Sequence, residues 1–99
     1  MKKSLYPVKI PATEEVFDLL LNHKNVKIER IISSDKITNK EYVQEQDEWV
    51  VLLKGHAKLD VDGKTMEMKE GDYLFIPSGQ KHKASETKAG TVWLAVHIY

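Results

Sequence analysis

Cysteine is absent from this sequence of 99 residues, which excludes disulfides, thiolate metal ligands and cysteine nucleophiles. Arginine occurs only at Arg30, so bidentate recognition of phosphate groups has little support. Neither sign of charge predominates, because 15 lysine and arginine residues balance 15 aspartate and glutamate residues. No net field would therefore attract nucleic acid or an anionic membrane, and neither is an expected partner.

Long hydrophobic runs are also missing, and no stretch approaches the length of a membrane span. The first residues, MKKSLYPVKIP, are positively charged, but they include Pro7, Lys9 and Pro11 where a signal peptide would begin its apolar stretch. We therefore expect a cytoplasmic protein. A chain of this length, 41% hydrophobic, predicts one small domain with one core.

A helical pattern occurs near the beginning, in residues 13–22, TEEVFDLLLN. Thr13 can cap a helix, and the two glutamates that follow suit its positive end. The apolar side chains that would share one face are Val16, Leu19 and Leu20. The sequence predicts a short N-terminal α-helix here, within a segment 1–25 that packs outside a barrel formed by residues 26–99.

Patterns typical of β-strands fill the chain after Asn25. Hydrophobic residues alternate in 26–33, and Asp62-Gly63 is a strong hairpin signal between two further alternating runs. Two more strands are predicted in YLFIP, residues 73–77, and in TVWLAVHIY, residues 91–99. Short strands separated by turn residues predict an all-β protein, a barrel or sandwich.

One predicted strand, EWVVLLK at residues 48–54, is apolar on both faces. A barrel of this size can cover one face with its own interior. The other face is expected to be covered by the N-terminal segment or by a partner subunit, and we expect a homodimer in which Trp49 is a packing or interface residue.

The stretch EGDYLFIPSGQKH, residues 70–82, sets Gly71, Pro77, Gly79 and His82 at a spacing that resembles the second sequence motif of the cupin superfamily. Only the final asparagine of that motif is replaced, by Glu86. Upstream, Glu48 followed after six residues by a glycine resembles the end of the first cupin motif, without its pair of histidines. The resemblance implies a small single-domain cupin, a jelly-roll-like double-stranded β-helix barrel, here with a short N-terminal helix.

Cupins that bind a metal use the glutamate and the histidine of these motifs, so the resemblance implies Glu48 and His82 as metal ligands. The missing histidines fall at Tyr42 and Gln44. If EYVQEQDE is one unbroken strand, Tyr42, Gln44, Gln46 and Glu48 share a polar face. We predict a weak metal site at Gln44, Glu48 and His82. Tyr42 and His97 would contact the bound cofactor or ligand, although His97 also fits a buried, hydrogen-bonded histidine.

The expected function is binding of a small polar ligand in the barrel through one divalent metal ion, with manganese, iron, nickel and zinc left open. Glu48 and His82 could instead act as acid and base in an isomerase or lyase, with catalytic residues otherwise unknown. A dioxygenase fits less well, because such cupins usually need the absent histidines. The third alternative is a metal-free sensing or structural module in which Glu48 and His82 pair with each other.

Overall fold

The computed structural model describes residues 1–99 and contains eight β-strands and no helix. The strands are β1 (Glu15–His23), β2 (Val26–Ser33), β3 (Asp47–Lys54), β4 (His56–Val61), β5 (Lys64–Lys69), β6 (Tyr73–Ile76), β7 (His82–Thr87) and β8 (Thr91–Ile98). They form a five-stranded sheet in the order β1-β2-β8-β3-β6 and a three-stranded sheet in the order β5-β4-β7. The prediction of an all-β barrel is confirmed, and no helix of the length and apolarity needed to span a bilayer is present.

The predicted N-terminal helix is wrong. Residues 15–23 form β1, which pairs antiparallel with β2 along its whole length, with a bulge between Leu19 and Leu21. A two-residue turn with Lys24 at a φ of 53° joins the two strands. The apolar residues at helical spacing were misleading, because the backbone hydrogen bonds and side-chain pairs that β2 offers outweigh a short local preference for helix.

Apart from the stretch at residues 41–48, the strands predicted after Asn25 are all present. The turn at Asp62-Gly63 has φ of 51° and 81°, the positive values that a two-residue hairpin requires, and it joins β4 to β5. The core lies between the two sheets, where inward-facing side chains from both are almost fully buried. Its members are Val50, Leu52, Ala57, Leu59, Val61, Met68, Ile76, Trp93 and Ala95.

The crossing from β3 in one sheet to β4 in the other depends on Gly55. Its φ is 93°, and a Cβ atom there would lie 2.6 Å from the Oγ1 atom of Thr91 and 2.9 Å from the Thr91 Cα. A side chain is therefore opposed both by the backbone conformation and by the neighbouring strand. The turn at Gly55 lets the chain pass from one sheet to the other, so that the two sheets pack face to face. The candidate site lies at one end of the barrel that they form.

Residues 41–48 do not form the unbroken strand on which the shared polar face was conditional. Strand β3 begins only at Asp47, and Tyr42 forms an isolated bridge with His82 through two backbone hydrogen bonds of 2.8 and 3.0 Å. The residues between them form a loop that crosses the barrel end. The period of two therefore does not apply there, and the loop itself decides where each side chain lies.

Candidate functional site

A cavity of about 100 Å³ opens at this end of the barrel, and side chains from both sheets line it. All five residues predicted for the site line it, namely Tyr42, Gln44, Glu48, His82 and His97. Its apolar floor includes Ile31, Val50, Leu59, Ile76 and Trp93. Pockets for drug-sized ligands usually measure about 300–1,000 Å³, so this cavity suits a small ligand or an ion with its water.

Glu48 is the most deeply placed acid of the cavity, with 6% of its surface exposed. Its Oε1 atom lies 3.7 Å from His82 Nε2 and 4.0 Å from His97 Nδ1. Burial raises the pKa of the Glu48 carboxyl above its ordinary value, and the imidazoles of His97 and His82 only partly offset this effect. The site thus holds a carboxyl that would bind a proton or a cation readily.

The ring orientation of His82 is fixed by its neighbours in the loop. Its Nδ1 atom lies 3.2 Å from the carbonyl oxygen of Gln80, which can only accept a hydrogen bond, so Nδ1 carries the proton. In the neutral ring the other nitrogen, Nε2, then has a lone pair that faces Glu48. Two acceptors therefore face each other across 3.7 Å unless a proton or a cation lies between them.

The tautomer of His97 is fixed by Glu29. His97 Nε2 donates to Glu29 Oε1 at 2.7 Å, so the neutral ring accepts at Nδ1, where the amide nitrogen of Gln46 lies at 3.2 Å. His97 is 5% exposed and also lines the cavity. Its position therefore fits both sequence interpretations, a buried, hydrogen-bonded histidine and a residue that contacts a ligand. A role for His97 as a ligand stays a prediction.

Gln44 has the one buried side-chain oxygen or nitrogen atom of the protein that lacks a hydrogen-bond partner, its Oε1. The loop around Gly79 holds its backbone, because the Gly79 N–H donates to the Gln44 carbonyl oxygen at 2.8 Å. Gly79 has a φ of 81°, a conformation that glycine adopts without strain, which explains its place three residues before His82. The glycine-rich turn of the motif therefore positions Gln44 as well as His82.

Two acids of the cavity were not identified from the sequence. Glu29 alternates with apolar residues in β2 and faces the interior opposite Ala95, and Glu15 lies on the strand misread as a helix. Burial raises the pKa of Glu15, while a hydrogen bond from the Ser33 hydroxyl acts against this. The sequence did contain a signal for Glu29, because an acid interrupts the alternating apolar pattern of β2.

The cavity is acidic. Glu15, Glu29 and Glu48 line it, and Lys83 is its only lysine or arginine. Lys83 pairs with Asp60 in the sheet register. Because side chains alternate along a strand, the Lys83 side chain points to the face opposite that of His82 and Ala84. The lining therefore favours a cation or an uncharged ligand over an anion.

One acceptor in this cavity, the Gln44 Oε1, is buried without a hydrogen-bond donor, and the Glu48 carboxyl and the Nε2 of neutral His82 line the same cavity. A buried acceptor without a donor costs about 1–3 kcal/mol, so a bound donor or cation would relieve the arrangement. No group of three or more histidine, cysteine, aspartate and glutamate side chains is arranged to hold a metal ion. Any metal here would have two strong ligands and an amide oxygen.

A profile of the cupin domain matches residues 33–97, and the chain belongs to the cupin family. A crystal structure from Ralstonia eutropha JMP134 named as a "putative mannose-6-phosphate isomerase" has 36% identity and a TM-score of 0.89, over 99% of this chain and 98% of that one. An RmlC-like cupin from Methanocaldococcus jannaschii with a double-stranded β-helix fold has 19% identity and a TM-score of 0.75, over 99% and 92%.

A curated, uncharacterised protein of Aquifex aeolicus strain VF5 is 38% identical over 55 residues. The match covers 56% of this chain and 46% of that protein, so the chain matches about half of its curated relative. These similarities establish the family and the barrel. They leave the ligand of this chain to be argued from its own cavity.

Proposed function

We propose that this cupin binds one small, uncharged polar ligand in the barrel cavity, through a divalent cation held by Gln44, Glu48 and His82. The observation that carries the proposal is the unpartnered, buried Gln44 Oε1 in the same cavity as the Glu48 carboxylate and the His82 Nε2. A cation can bind an amide oxygen, a carboxylate and an imidazole nitrogen at once, whereas a single hydroxyl group of a ligand donates only one hydrogen bond.

The donor set supports a weak site. One imidazole, one carboxylate and one amide oxygen fit manganese, iron, nickel or zinc without selecting among them, and water would complete the coordination. The bound cation would supply a positive charge that orients oxygen atoms of the ligand. The Tyr42 ring stacks on His82, with ring centroids 6.0 Å apart, and His97 Nδ1 lies 4.0 Å from Glu48 Oε1, so both residues would contact the ligand.

The acid lining supports an uncharged ligand. With Glu15, Glu29 and Glu48 in the cavity, a phosphate or carboxylate group would meet negative charge and no arginine. The name of the relative from Ralstonia eutropha includes a phosphorylated sugar. For this chain, the unphosphorylated sugar is the more suitable test ligand.

The test is a set of thermal melts with EDTA and with each of the four cations, followed by mannose or mannose 6-phosphate. A ligand at 100 times its dissociation constant adds about 2.7 kcal/mol to the unfolding free energy. We expect one or more cations to raise the melting temperature of the wild type, with a much smaller shift in Gln44→Met and none in Glu48→Gln. Glu45→Gln, an exposed change in the same loop, is the control.

A melting temperature that no cation changes would refute the cation site. A larger rise in melting temperature with mannose 6-phosphate than with mannose would refute the preference for an uncharged ligand. No shift with any addition would favour the third alternative, a closed structural module in which Glu48 and His82 pair with each other.

A second candidate, an isomerase, is favoured by the raised pKa of Glu48 beside His82 and by the name of the 36% identical relative. A carboxyl of this kind can take a proton from a carbon next to a carbonyl group and return it to the neighbouring carbon. The distinguishing assay is exchange of solvent deuterium into mannose by the wild type. Exchange that is lost in Glu48→Gln would support catalysis, whereas ligand binding without exchange would limit the protein to binding.

A further inference from the structure

A second cavity, which we call the outer cavity, adjoins the cavity of the candidate site, now called the inner cavity. The outer cavity has a volume of about 310 Å³ and lies between the beginning of β1 and the loop that joins β2 to β3. Four residues line both cavities, namely Glu15, Phe17, Tyr42 and Ala84. The two cavities are therefore neighbouring parts of one cleft.

The sizes of the two cavities suit different parts of a ligand. Pockets for organic ligands usually measure about 300–1,000 Å³. The inner cavity, of about 100 Å³, lies well below this range, and the outer cavity, of about 310 Å³, reaches its lower end. If the inner cavity holds a cation and its water, the ring of an organic ligand has room only in the outer cavity.

The outer wall of this cavity is held in place by Glu14. Its carboxylate accepts hydrogen bonds from the Thr38 backbone N–H at 3.3 Å and from the Thr38 hydroxyl at 3.0 Å. Its backbone bonds to Ser34 and Lys36, at 2.9 Å each. Glu14 has a φ of 59°, a conformation that is uncommon for residues other than glycine and that clusters near ligand sites. A ligand would therefore enter a cavity that already has its shape.

The lining of the outer cavity offers both an apolar surface and hydrogen-bonding groups. The Phe17 ring, whose residue is 49% exposed, supplies the largest apolar surface. The Lys40 ammonium lies 5.4 Å from the centre of the Tyr42 ring. Burial and the carboxylates of Glu15 and Glu14 raise the pKa of Tyr42, so its hydroxyl keeps its proton at neutral pH. These groups can donate hydrogen bonds to hydroxyl groups and accept them, while Phe17 covers an apolar ring face.

Glu15 is held between the two cavities by a chain of hydrogen bonds. The Trp93 Nε1–H can only donate, and it donates to the Ser33 Oγ atom at 3.1 Å. The Ser33 hydroxyl donates in turn to Glu15 Oε2. The other carboxyl oxygen, Oε1, takes no part in this chain. A ligand that extends from one cavity into the other would pass this carboxyl, which can bind one of its hydroxyl groups.

We propose that the outer cavity binds the ring of an uncharged sugar, and that only the oxygen atoms at one edge of the ring enter the inner cavity. This inference rests on the proposed function, in which those oxygen atoms meet a cation held by Gln44, Glu48 and His82. The carboxylates of Glu14 and Glu15 outnumber the single ammonium group in the outer cavity, so a phosphate group gains no advantage there.

The test is calorimetric titration of mannose into the wild type and variants of one loop, with each of the four cations and with EDTA. Thr38→Trp and Lys40→Trp place an indole ring in the wall of the outer cavity. Asn39→Trp is the matched control, because Asn39 is also exposed but lies outside the lining. We expect the mannose Kd to rise more than about tenfold in both lining variants and to stay within about twofold in the control. The cation-dependent rise in melting temperature should be the same in all of them.

The possible results separate the outer cavity from the cation site. Circular dichroism melts check that each variant folds, which the exposed positions favour. Only Thr38→Trp loses the hydroxyl bonded to Glu14, so an effect common to both lining variants is due to the indole ring. Mannose affinities equal to that of the control in both variants would overturn the proposal, as would a wild type that binds no mannose at millimolar concentration. A melting temperature that no cation changes, with mannose binding in EDTA still lost in both variants, would refute the cation site and support the outer cavity.

Discussion

Replacing Glu48 by glutamine should stabilise the cation-free protein at neutral pH. Burial raises the pKa of the Glu48 carboxyl in the folded state, so between its ordinary value and the raised value the native state holds a proton that the unfolded chain has released. The unfolding free energy of the wild type therefore falls as the pH rises through this window. The loss is complete above the folded pKa.

The magnitude follows from proton linkage and from the contacts of the site. Inside the window, one such group changes the unfolding free energy by up to about 1.4 kcal/mol for each pH unit. An uncharged amide at position 48 removes this loss and brings an N–H donor towards the His82 Nε2, which now lies 3.7 Å from a carboxylate oxygen. A hydrogen bond of this kind contributes about 1 kcal/mol.

The assay is urea unfolding in EDTA at about pH 5 and about pH 8, followed by tryptophan fluorescence, to which the buried Trp93 and the partly buried Trp49 both contribute. At the higher pH, the unfolding free energy of Glu48→Gln should exceed that of the wild type by at least about 1 kcal/mol. For a domain of this size, this difference corresponds to a Tm higher by about 4–8 °C. The difference should shrink at the lower pH. Glu45→Gln, a change at an exposed acid, serves as the control.

A Glu48→Gln protein that is less stable than the wild type at the higher pH would refute this reasoning. The same holds for a variant with an unaltered dependence of stability on pH. Either result would mean that the Glu48 carboxylate gains more from His82 and His97 than it loses by burial.

Three further outcomes are expected from the fold. Gly55→Ala should lower the unfolding free energy by about 2–5 kcal/mol in urea titrations, because it combines a φ of 93° with a contact to the Thr91 backbone, and an unchanged midpoint would contradict this. Glu15→Gln should also be more stable than the wild type above the ordinary glutamate range, since burial raises the pKa of Glu15, and an unaltered pH dependence would count against it. Arg30→Met should speed proteolysis of the N-terminal segment, which loses its hydrogen bond at the Leu5 carbonyl, unless that segment is held by its apolar contacts alone.

The family and most strands could be predicted from the sequence, because their signals are local. The hairpin at Asp62-Gly63 is determined by a backbone geometry that few residue pairs adopt. The N-terminal strand was misread for the opposite reason: its partner β2 is absent from any local window, and without it the leucines of residues 19–21 fit a helix equally well.

The five residues predicted for the site line one cavity, but the way in which they reach it was not predicted. Gln44 reaches the cavity from a loop and Glu48 from the beginning of β3, so one continuous strand does not carry both. The roles of the ring nitrogens depend on Glu29 and on the Gln80 carbonyl, contacts that no sequence spacing encodes. Whether these residues bind a cation remains a prediction for the melting experiments.

The pairing of His97 with Glu29 joins residues 68 positions apart, and the hydrogen bond from Gln46 to the same ring joins residues 51 positions apart. Contacts between such distant parts of a chain form late and make folding slow, commonly milliseconds to seconds for barrels of this type. No fragment of this protein and no half-folded intermediate can hold the complete cavity. Binding of a ligand in the cavity would therefore report on the folding of the whole chain.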